Sequence, residues 1–600
     1  MPVCLGALSL LLLASCRTAE PSPASAPAQQ LFVAGLDTLG TSLERLEVAL
    51  AGQVDTADAI RVFREARRAF KRVEGLLTYY IPISTAEING PRLEPDDDDP
   101  APPVKSAPIG FQVIEGALFD GSVPMDSARV EMRRMRRIFL LLRGVASTNP
   151  ILPNAAPDAA RLQLARVTTL GLAGIDADPS GDAIVEAAYA LEGVRDLLLT
   201  VLADPARRAS VESHFGQAIT ELRAHPNFAD FDRLHFIVGP ATQAGRLLSE
   251  LQSTLGAPEP GVRRFWRESA GTPFEAGAFS TQAFPPAHAR TPSPALEAIG
   301  QRLFFDPSLS GPRTRSCASC HQPARAFTDG RARAEPMPGP QRTPLRNTPT
   351  LLNVGMQPAF FADDRALSLE NQVGVVLASP AEMGSSADTA ATRVQADSSY
   401  RAAFAAAMPD RGDSAITGLE IRQALAAHLR TLNAMDSRFD RAVRGDTLAM
   451  TDGERRGLTV FLGRAKCGTC HFMPLFNGVT PPFYRTSEAE IIGVPATANL
   501  DRTTLDPDVG RSNVEDNLIN RFAFKVTSLR NVALTAPYMH NGVFRTLEEV
   551  IEFYDRGGGV GIGLTLPYQT LPSAPLKLTA DEKKDLIAFL GALTDTIPKR

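Results

Sequence analysis

The chain has 600 residues, of which 44% are hydrophobic and 22% charged, and this composition excludes collagen-like, disordered and polytopic membrane proteins. Its 62 basic and 67 acidic side chains give a formal net charge of −5, which does not indicate nucleic-acid binding. Six cysteines are too few for a disulfide scaffold in a chain that is long enough for about four domains.

The chain begins with an apolar run, residues 5–15, which ends at Cys16. The run is too short to span a bilayer as a helix and is typical of a secretory signal. Because residues 13–16 resemble a bacterial lipoprotein box, we expect residues 1–16 to be a lipoprotein signal and Cys16 to be lipidated. An ordinary cleaved signal peptide is the alternative. Residues 17–30, rich in Pro, Ala and Ser, suit a flexible tether. The prediction is a periplasmic protein that is lipid-anchored to a bacterial membrane and has no other membrane contact.

Residues 31–255 have a helical pattern. Apolar side chains recur at helical spacing from the start of this region, at Phe32, Leu36, Leu39, Leu43, Leu46 and Leu50. Three short segments of it, residues 70–74, 89–90 and 110–115, resemble imelysin-like helical domains. No catalytic constellation stands out here, so we predict a helical domain without an assigned role. Residues 256–292, rich in Pro, Gly, Ala and Phe, are predicted to be a linker.

Two segments share the pattern C-x-x-C-H, namely Cys317, Cys320 and His321, and Cys467, Cys470 and His471. This is the attachment signature of c-type haem, in which two thiols bind one porphyrin and the histidine ligates its iron. A single four-cysteine zinc site would leave two histidines at identical offsets unexplained. Thioredoxin-like pairs would not need the histidines. The sequence therefore predicts two covalently bound c-type haems.

Each motif is preceded by a predicted amphipathic helix, at residues 294–305 and 452–462. A capping box at residues 579–582 opens a further helix near the end of the chain. We therefore expect a mainly α protein, in which the N-terminal helical domain is followed by two tandem cytochrome c-type domains. The predicted domains are residues 293–445, with the first haem, and residues 446–600, with the second.

Four segments, residues 303–311, 346–350, 382–384 and 529–542, resemble the bacterial dihaem cytochrome c peroxidase and MauG family. The resemblance covers roughly residues 290–600. It implies that the first haem reacts with peroxide and that the second is an electron-transfer centre. His321 and His471 would be the proximal iron ligands of these two haems.

The resemblance also implies a catalytic pair in the pocket above the first haem. The family has a glutamine there, followed ten residues later by a glutamate, and Gln372 and Glu382 match this spacing. Cleavage of peroxide needs a base that moves a proton from one oxygen to the other. We expect Glu382 to be that acid–base residue and Gln372 to orient it.

A calcium ion lies between the haems in this family. It is held by an asparagine side chain and two backbone carbonyls, whose positions are occupied here by Asn347, Thr535 and Pro537. Oxygen ligands suit calcium. The resemblance therefore implies one bound calcium ion.

Two positions depart from the common family pattern. The family often has a tryptophan between the haems, and this chain has Ala362 at that position. Alanine cannot relay an electron hole, so the sequence does not identify the electron route between the haems. Conventional members also have a methionine ligand fourteen residues after the histidine at position 540, and here that position is Tyr554, as in MauG-type proteins. A phenolate favours oxidised iron. From the residues alone, core packing of Tyr554 is the alternative.

Many members of this family are isolated with a loop histidine bound to the first haem. The matching loop here, residues 322–346, contains no histidine, and its only soft ligand is Met337. Ferric iron binds a thioether weakly. We therefore expect the first haem to rest five-coordinate or water-bound.

The predicted function is a peroxidase that reduces hydrogen peroxide to water. Its electrons would come from a small c-type cytochrome or copper protein. One alternative is a MauG-type enzyme that oxidises a side chain of a partner protein, and another is a non-enzymatic dihaem electron carrier. The N-terminal helical domain could be a docking module in any of these.

Overall fold

A computed structural model of the protein describes residues 26–53, 55–90, 108–256, 264–286, 289–338, 346–515, 517–566 and 568–595. This part of the chain is mainly helical, which confirms the predicted fold class. Its two strands, β1 (Ala489–Glu490) and β2 (Phe524–Lys525), pair antiparallel. Among the described residues, no helix has the length and apolarity needed to cross a bilayer. Cys16 and the predicted signal lie outside the described residues.

The described part of the N-terminal helical region, residues 26–53, 55–90 and 108–256, contains ten α-helices. They are α1 (Ala26–Val48), α2 (Thr56–Tyr80), α3 (Pro82–Ile88), α4 (Phe111–Phe119), α5 (Met125–Thr148), α6 (Ala156–Thr169), α7 (Ala183–Val201), α8 (Pro205–Ala224), α9 (Arg233–Phe236) and α10 (Thr242–Leu255). The apolar stripe predicted for the first helix is buried in the core. Because α1 begins at Ala26, the last five residues of the predicted tether are helical.

Eleven helices follow in the described part of the cytochrome c-type half. They are α11 (Pro294–Phe304), α12 (Leu369–Ala378), α13 (Ala387–Ala396), α14 (Ser398–Ala407), α15 (Gly418–Leu429), α16 (Arg438–Val443), α17 (Asp452–Leu462), α18 (Ser512–Glu515), α19 (Leu547–Asp555), α20 (Gly558–Gly561) and α21 (Ala580–Ala592). Helices α11, α17 and α21 begin at or next to the predicted residues. The capping box at Thr579 is present.

The helix before each motif crosses a later helix at a glycine. A β-carbon on Gly300 of α11 would lie 1.9 Å from the carbonyl oxygen of Ala424 in α15. A β-carbon on Gly457 of α17 would lie 2.0 Å from the carbonyl oxygen of Asp585 in α21. Only glycine permits so close a backbone approach. The two halves of this region therefore build the same helix crossing beside their motifs.

The apolar cores do not follow the predicted domain boundaries. One core contains residues up to Ala434. Phe439 belongs to the next core, that of the second cytochrome c-type domain, which we call the second cytochrome unit. The Phe439 ring centroid lies 4.9 Å from that of Phe476. The division thus lies about ten residues before the predicted boundary at residues 445–446. The second unit also shares one continuous core with the N-terminal helical region.

The predicted linker packs into the protein along residues 264–286. Phe265, Trp266 and Phe279 are buried, and the Phe265 and Phe279 rings stack at 4.7 Å. The Arg161 guanidinium lies 3.9 Å from the Trp266 ring centroid. The expectation of a mere spacer is therefore wrong for this stretch. Burial of its aromatic side chains outweighs the loop-like composition.

Candidate functional site

The two C-x-x-C-H motifs fold in the same way. A short 3₁₀ turn begins at the first cysteine of each, over Cys317–Ser319 and Cys467–Thr469. The backbone N–H of His321 donates to the Cys317 carbonyl at 3.0 Å, and that of His471 donates to the Cys467 carbonyl at 2.9 Å. All four cysteines of the motifs are free thiols. Each motif thus places two thiols and an imidazole on one compact turn.

Both imidazoles are held through Nδ1. His321 Nδ1 lies 3.0 Å from the Phe327 carbonyl oxygen, and His471 Nδ1 lies 3.2 Å from that of Phe476. Because a carbonyl can only accept, Nδ1 carries the hydrogen and Nε2 keeps its lone pair for a metal. Burial lowers the pKa of His471 to about 4 and also lowers that of His321. The rings are therefore neutral, as iron ligation requires.

Both motifs line one cavity of about 1120 Å³. This exceeds the roughly 300–1,000 Å³ typical of a single ligand site. Its walls near the motifs are largely apolar and include Phe304, Leu377, Leu425, Phe461, Ile551 and Leu590. Free thiols, neutral imidazoles and apolar walls are what two covalently attached haems need, so the residues present fit two haems.

Gln372 and Glu382 lie on the wall of this cavity, Gln372 on α12 and Glu382 in the turn that follows it. Burial raises the pKa of Glu382, and the positive charges of Arg365 and Arg315 partly oppose that rise. Burial raises the pKa of Cys320, and the Glu382 charge adds to that rise. Gln372 and Glu382 thus line the same cavity as the first motif, and Glu382 lies near enough to Cys320 for its charge to act there.

The sequence interpretation missed Arg365. Its Nη1 donates to both carboxylate oxygens of Asp363, at 2.7 and 2.9 Å, and its guanidinium lies 3.6 Å from the Phe361 ring centroid. Asp363 also accepts a bond of 2.7 Å from Arg346, which pairs with Asp508. These contacts fix Arg365, whose positive charge acts on Glu382. The sequence comparison includes Arg365 in the segment 361–365 that departs from the family pattern but gives it no role.

Tyr554 lies on α19 and lines the cavity beside the second motif. Burial raises the pKa of its hydroxyl, and the nearby thiols Cys470 and Cys467 raise it further. The hydroxyl forms no hydrogen bond with any residue that the structure describes. The structure therefore places this phenol on the cavity wall near Cys467 and Cys470.

The loop after the first motif is tied to the turn that carries Glu382. The Met337 backbone N–H donates to the Ala381 carbonyl at 2.7 Å, while the Met337 side chain is not part of the cavity wall. Among the described residues, His540 is the only histidine besides the two motif histidines that lines the cavity. Its Nε2 lies 3.1 Å from the Asp506 carboxylate, and its ring stacks on Phe524 at 3.8 Å. These contacts engage both Nε2 and the ring of His540, so this histidine is not available as an iron ligand.

The three residues predicted to hold calcium, Asn347, Thr535 and Pro537, all line the same cavity. Asn347 Nδ2 donates to the Arg331 carbonyl at 2.8 Å, and the Asn347 backbone N–H donates to the His540 carbonyl at 2.7 Å. The amide nitrogen of the side chain is thus engaged, which leaves its oxygen available as a ligand.

Ala362 lies on the cavity wall next to Phe360 and Phe361. Its carbonyl accepts a hydrogen bond of 2.8 Å from the Lys525 backbone N–H. The Lys525 ammonium is 3.6 Å from the buried carboxylate of Asp364. The stretch where the family often has a tryptophan therefore presents phenylalanines and a buried charge pair.

The N-terminal helical region contacts the second motif, which the sequence did not indicate. A β-carbon on Gly468, inside the motif, would lie 3.3 Å from the Ala173 β-carbon. Lys466 forms an ion pair with Asp178. Phe472, directly after the motif histidine, is fully buried against the same region. The environment of the second haem site thus includes both halves of the chain.

The family described as di-haem cytochrome c peroxidase matches residues 294–448. The methylamine utilization protein MauG of Methylorubrum extorquens is 34% identical over 302 residues, which cover 50% of this chain and 78% of that protein. The cytochrome-c peroxidase IdrP1 of a Pseudomonas species is 32% identical over 361 residues, which cover 55% and 91%. The cytochrome c551 peroxidase of Nitrosomonas europaea is 33% identical over 314 residues, which cover 52% and 84%.

A solved structure of a MauG-like protein associated with microbial copper homeostasis is also similar. It is 32% identical and has a TM-score of 0.44, and the match covers 53% of this chain and 98% of that one. The diheme peroxidase BthA of Burkholderia thailandensis is 27% identical with a TM-score of 0.40, and the match covers 51% and 87%.

Proposed function

Because this chain belongs to the di-haem cytochrome c peroxidase family, we propose that it reduces hydrogen peroxide to water in the periplasm. Two protons and two electrons are consumed for each peroxide, and two waters form. The electrons come from a small c-type cytochrome or copper protein. Lipidation at Cys16 attaches the enzyme to the bacterial membrane.

The observation that carries the proposal is that the two motifs line one cavity but have different polar side chains near them. Glu382 and Gln372 line this cavity together with Tyr554; the Glu382 charge acts on Cys320 of the first motif, whereas Tyr554 lies near Cys470 and Cys467 of the second. Peroxide chemistry needs an acid–base group on the reactive side only. An electron carrier would need none, which argues against the non-enzymatic alternative.

When bound, the haems supply the redox centres that accept electrons and pass them to peroxide. The protein moves the proton. Glu382 accepts it from one peroxide oxygen and returns it to the other, which then leaves as water. The Gln372 amide can donate a hydrogen bond that orients the substrate or the carboxylate. Burial raises the pKa of Glu382, and the positive charge of Arg365 opposes that rise and so favours the ionised carboxylate.

Oxidation of a partner protein is the second candidate, and Tyr554 is the observation that favours it. A tyrosine oxygen as ligand stabilises oxidised iron more than a thioether does. If Tyr554 holds the second haem in this way, it would favour the oxidised state of that haem and so suit a slow electron donor such as a protein side chain.

We further propose that Asn347, Thr535 and Pro537 hold a calcium ion. The Asn347 side-chain oxygen and the two backbone carbonyls supply neutral oxygen ligands. Removal of calcium with a chelator is expected to change the absorption spectra of the haems. Identical spectra before and after chelation would contradict the calcium assignment.

The function is tested by adding peroxide to the holoenzyme with a reduced small c-type cytochrome. The expected result is oxidation of two equivalents of cytochrome for each peroxide. A small copper protein is then tried as donor in place of the cytochrome. If peroxide is consumed but neither donor is oxidised, the donor assignment is contradicted and protein oxidation is favoured. No consumption of peroxide would overturn both candidates.

A further inference from the structure

Helix α5 exposes apolar side chains on the side that faces away from the protein core. Val130, Leu140, Leu141 and Val145 are 59%, 61%, 68% and 41% exposed. The opposite side of the same helix supplies the buried residues, Ala128, Met132, Met135, Phe139, Leu142 and Ala146. An amphipathic helix normally turns polar residues outward. Here the outward side is apolar as well.

The same outward side carries two exposed arginines, Arg133 and Arg137, and neither forms an ion pair with a described residue. Glu131 is the only acidic residue between positions 130 and 145, and it pairs with Arg134. We call the exposed set Val130, Arg133, Arg137, Leu140, Leu141 and Val145 the α5 face. It combines apolar surface with uncompensated positive charge.

The C-terminal end of α5 lies beside the start of the described chain. Gln29 Nε2 donates to the Ala146 carbonyl at 2.7 Å, and the Ile151 backbone N–H donates to Gln29 Oε1 at 3.2 Å. The next residue, Leu152, is 48% exposed and extends the apolar surface. Ten residue steps separate Ala26 from Cys16, so the chain length keeps the predicted lipid site within roughly 35 Å of Ala26.

We propose that the α5 face lies on the surface of an anionic lipid bilayer. Exposed leucine and valine side chains enter the headgroup boundary, while Arg133 and Arg137 meet anionic headgroups. The α5 face fixes which side of the protein faces the membrane. This inference is independent of the proposed enzymatic function.

The test uses the full chain with Cys16→Ser, which removes the lipid site, and measures co-sedimentation with vesicles. Vesicles of phosphatidylethanolamine and phosphatidylglycerol are compared with vesicles of phosphatidylcholine alone. We expect binding to the anionic vesicles that weakens with salt. Leu141→Glu should lower the partition coefficient by at least ~10-fold, since a charge replaces a leucine that enters the bilayer when the α5 face binds. The double change Arg133→Gln and Arg137→Gln should lower it about fivefold per arginine.

Leu448→Glu is the matched control, because Leu448 is 89% exposed on the second cytochrome unit and outside the α5 face. It should bind like the parent. Failure of the Cys16→Ser chain to bind anionic vesicles would overturn the proposal, as would equal binding by Leu141→Glu. A dimer in solution that Leu141→Glu dissociates, without vesicle binding, would instead assign the face to a second copy of the chain and overturn the membrane assignment.

Discussion

Lys466, the residue immediately before the second haem-attachment motif, forms an ion pair with Asp178 of the N-terminal helical region, with Nζ and Oδ2 2.6 Å apart. The pair is partly exposed, so its contribution to stability is at most about 1 kcal/mol. It marks the edge of a contact in which Ala173 packs on the Gly468 backbone. A redox partner that approaches the second motif from this side meets the N-terminal helical region first.

Overpacking this contact is expected to perturb the second haem alone. Ala173 is buried, so Ala173→Leu forces added methyl groups toward Gly468, at a cost of about 1–3 kcal/mol in the free energy of unfolding. Thermal unfolding and haem absorption spectra measure the two effects. Ala209→Leu, at an exposed site on α8, is the control and should change neither. Equal spectral changes at both haems would show that Ala173 does not act locally.

Glu382→Gln should keep both haems and lose peroxide turnover by at least ~10², the scale of a lost general acid–base residue. The amide has nearly the same size but cannot take the proton. Steady-state consumption of peroxide is the measurement. Glu297→Gln makes the same chemical change on α11, away from the cavity wall, and should retain full turnover. Near-normal turnover in Glu382→Gln would remove this residue from the mechanism.

The pH dependence of turnover should respond to Arg365. Glu382 acts as a base only when ionised, so turnover rises as the pH increases through the pKa of this carboxyl group. Arg365 lowers that pKa, and Arg365→Gln should therefore move the rising limb of the pH profile to higher pH. Arg365→Lys retains the charge and should shift the limb less. An unshifted limb in Arg365→Gln would mean that Arg365 does not control the ionisation of Glu382.

Tyr554→Phe is expected to change the ferric spectrum of one haem and to raise the reduction potential of that haem, because an anionic oxygen ligand is lost. Electron paramagnetic resonance and potentiometric titration measure these changes. Tyr568→Phe, at a tyrosine that is 58% exposed, is the matched control. A spectrum identical to that of the parent would identify Tyr554 as a packing residue.

The haem sites could be predicted because covalent attachment requires fixed residue types at fixed spacing, as Cys317 and Cys467 with their partners show. Capping was also visible, since Thr579 precedes Glu582 at the spacing that opens α21. Contacts between distant segments could not be predicted. The sequence around Ala173 does not indicate that this residue packs on Gly468, because a small side chain gives no sequence pattern that identifies the residues it contacts.

Loop composition was misleading for a related reason. The segment around Trp266 has the prolines and glycines of a linker, yet its aromatic rings bury against residues more than a hundred positions away, such as Arg161. Arg365 was missed because one arginine near an aspartate is common on protein surfaces. Its role depends on Glu382, which only the fold brings close.

The direct test of the peroxidase account is to mix the fully ferric holoenzyme with stoichiometric peroxide and record absorption and electron paramagnetic resonance spectra. No histidine follows His321 until His428, and His540 is bound to Asp506, so the first haem should rest high-spin and open. Peroxide is therefore expected to change the spectra at once, without prior reduction. A first haem that is low-spin at rest and unreactive until one electron is supplied would contradict it.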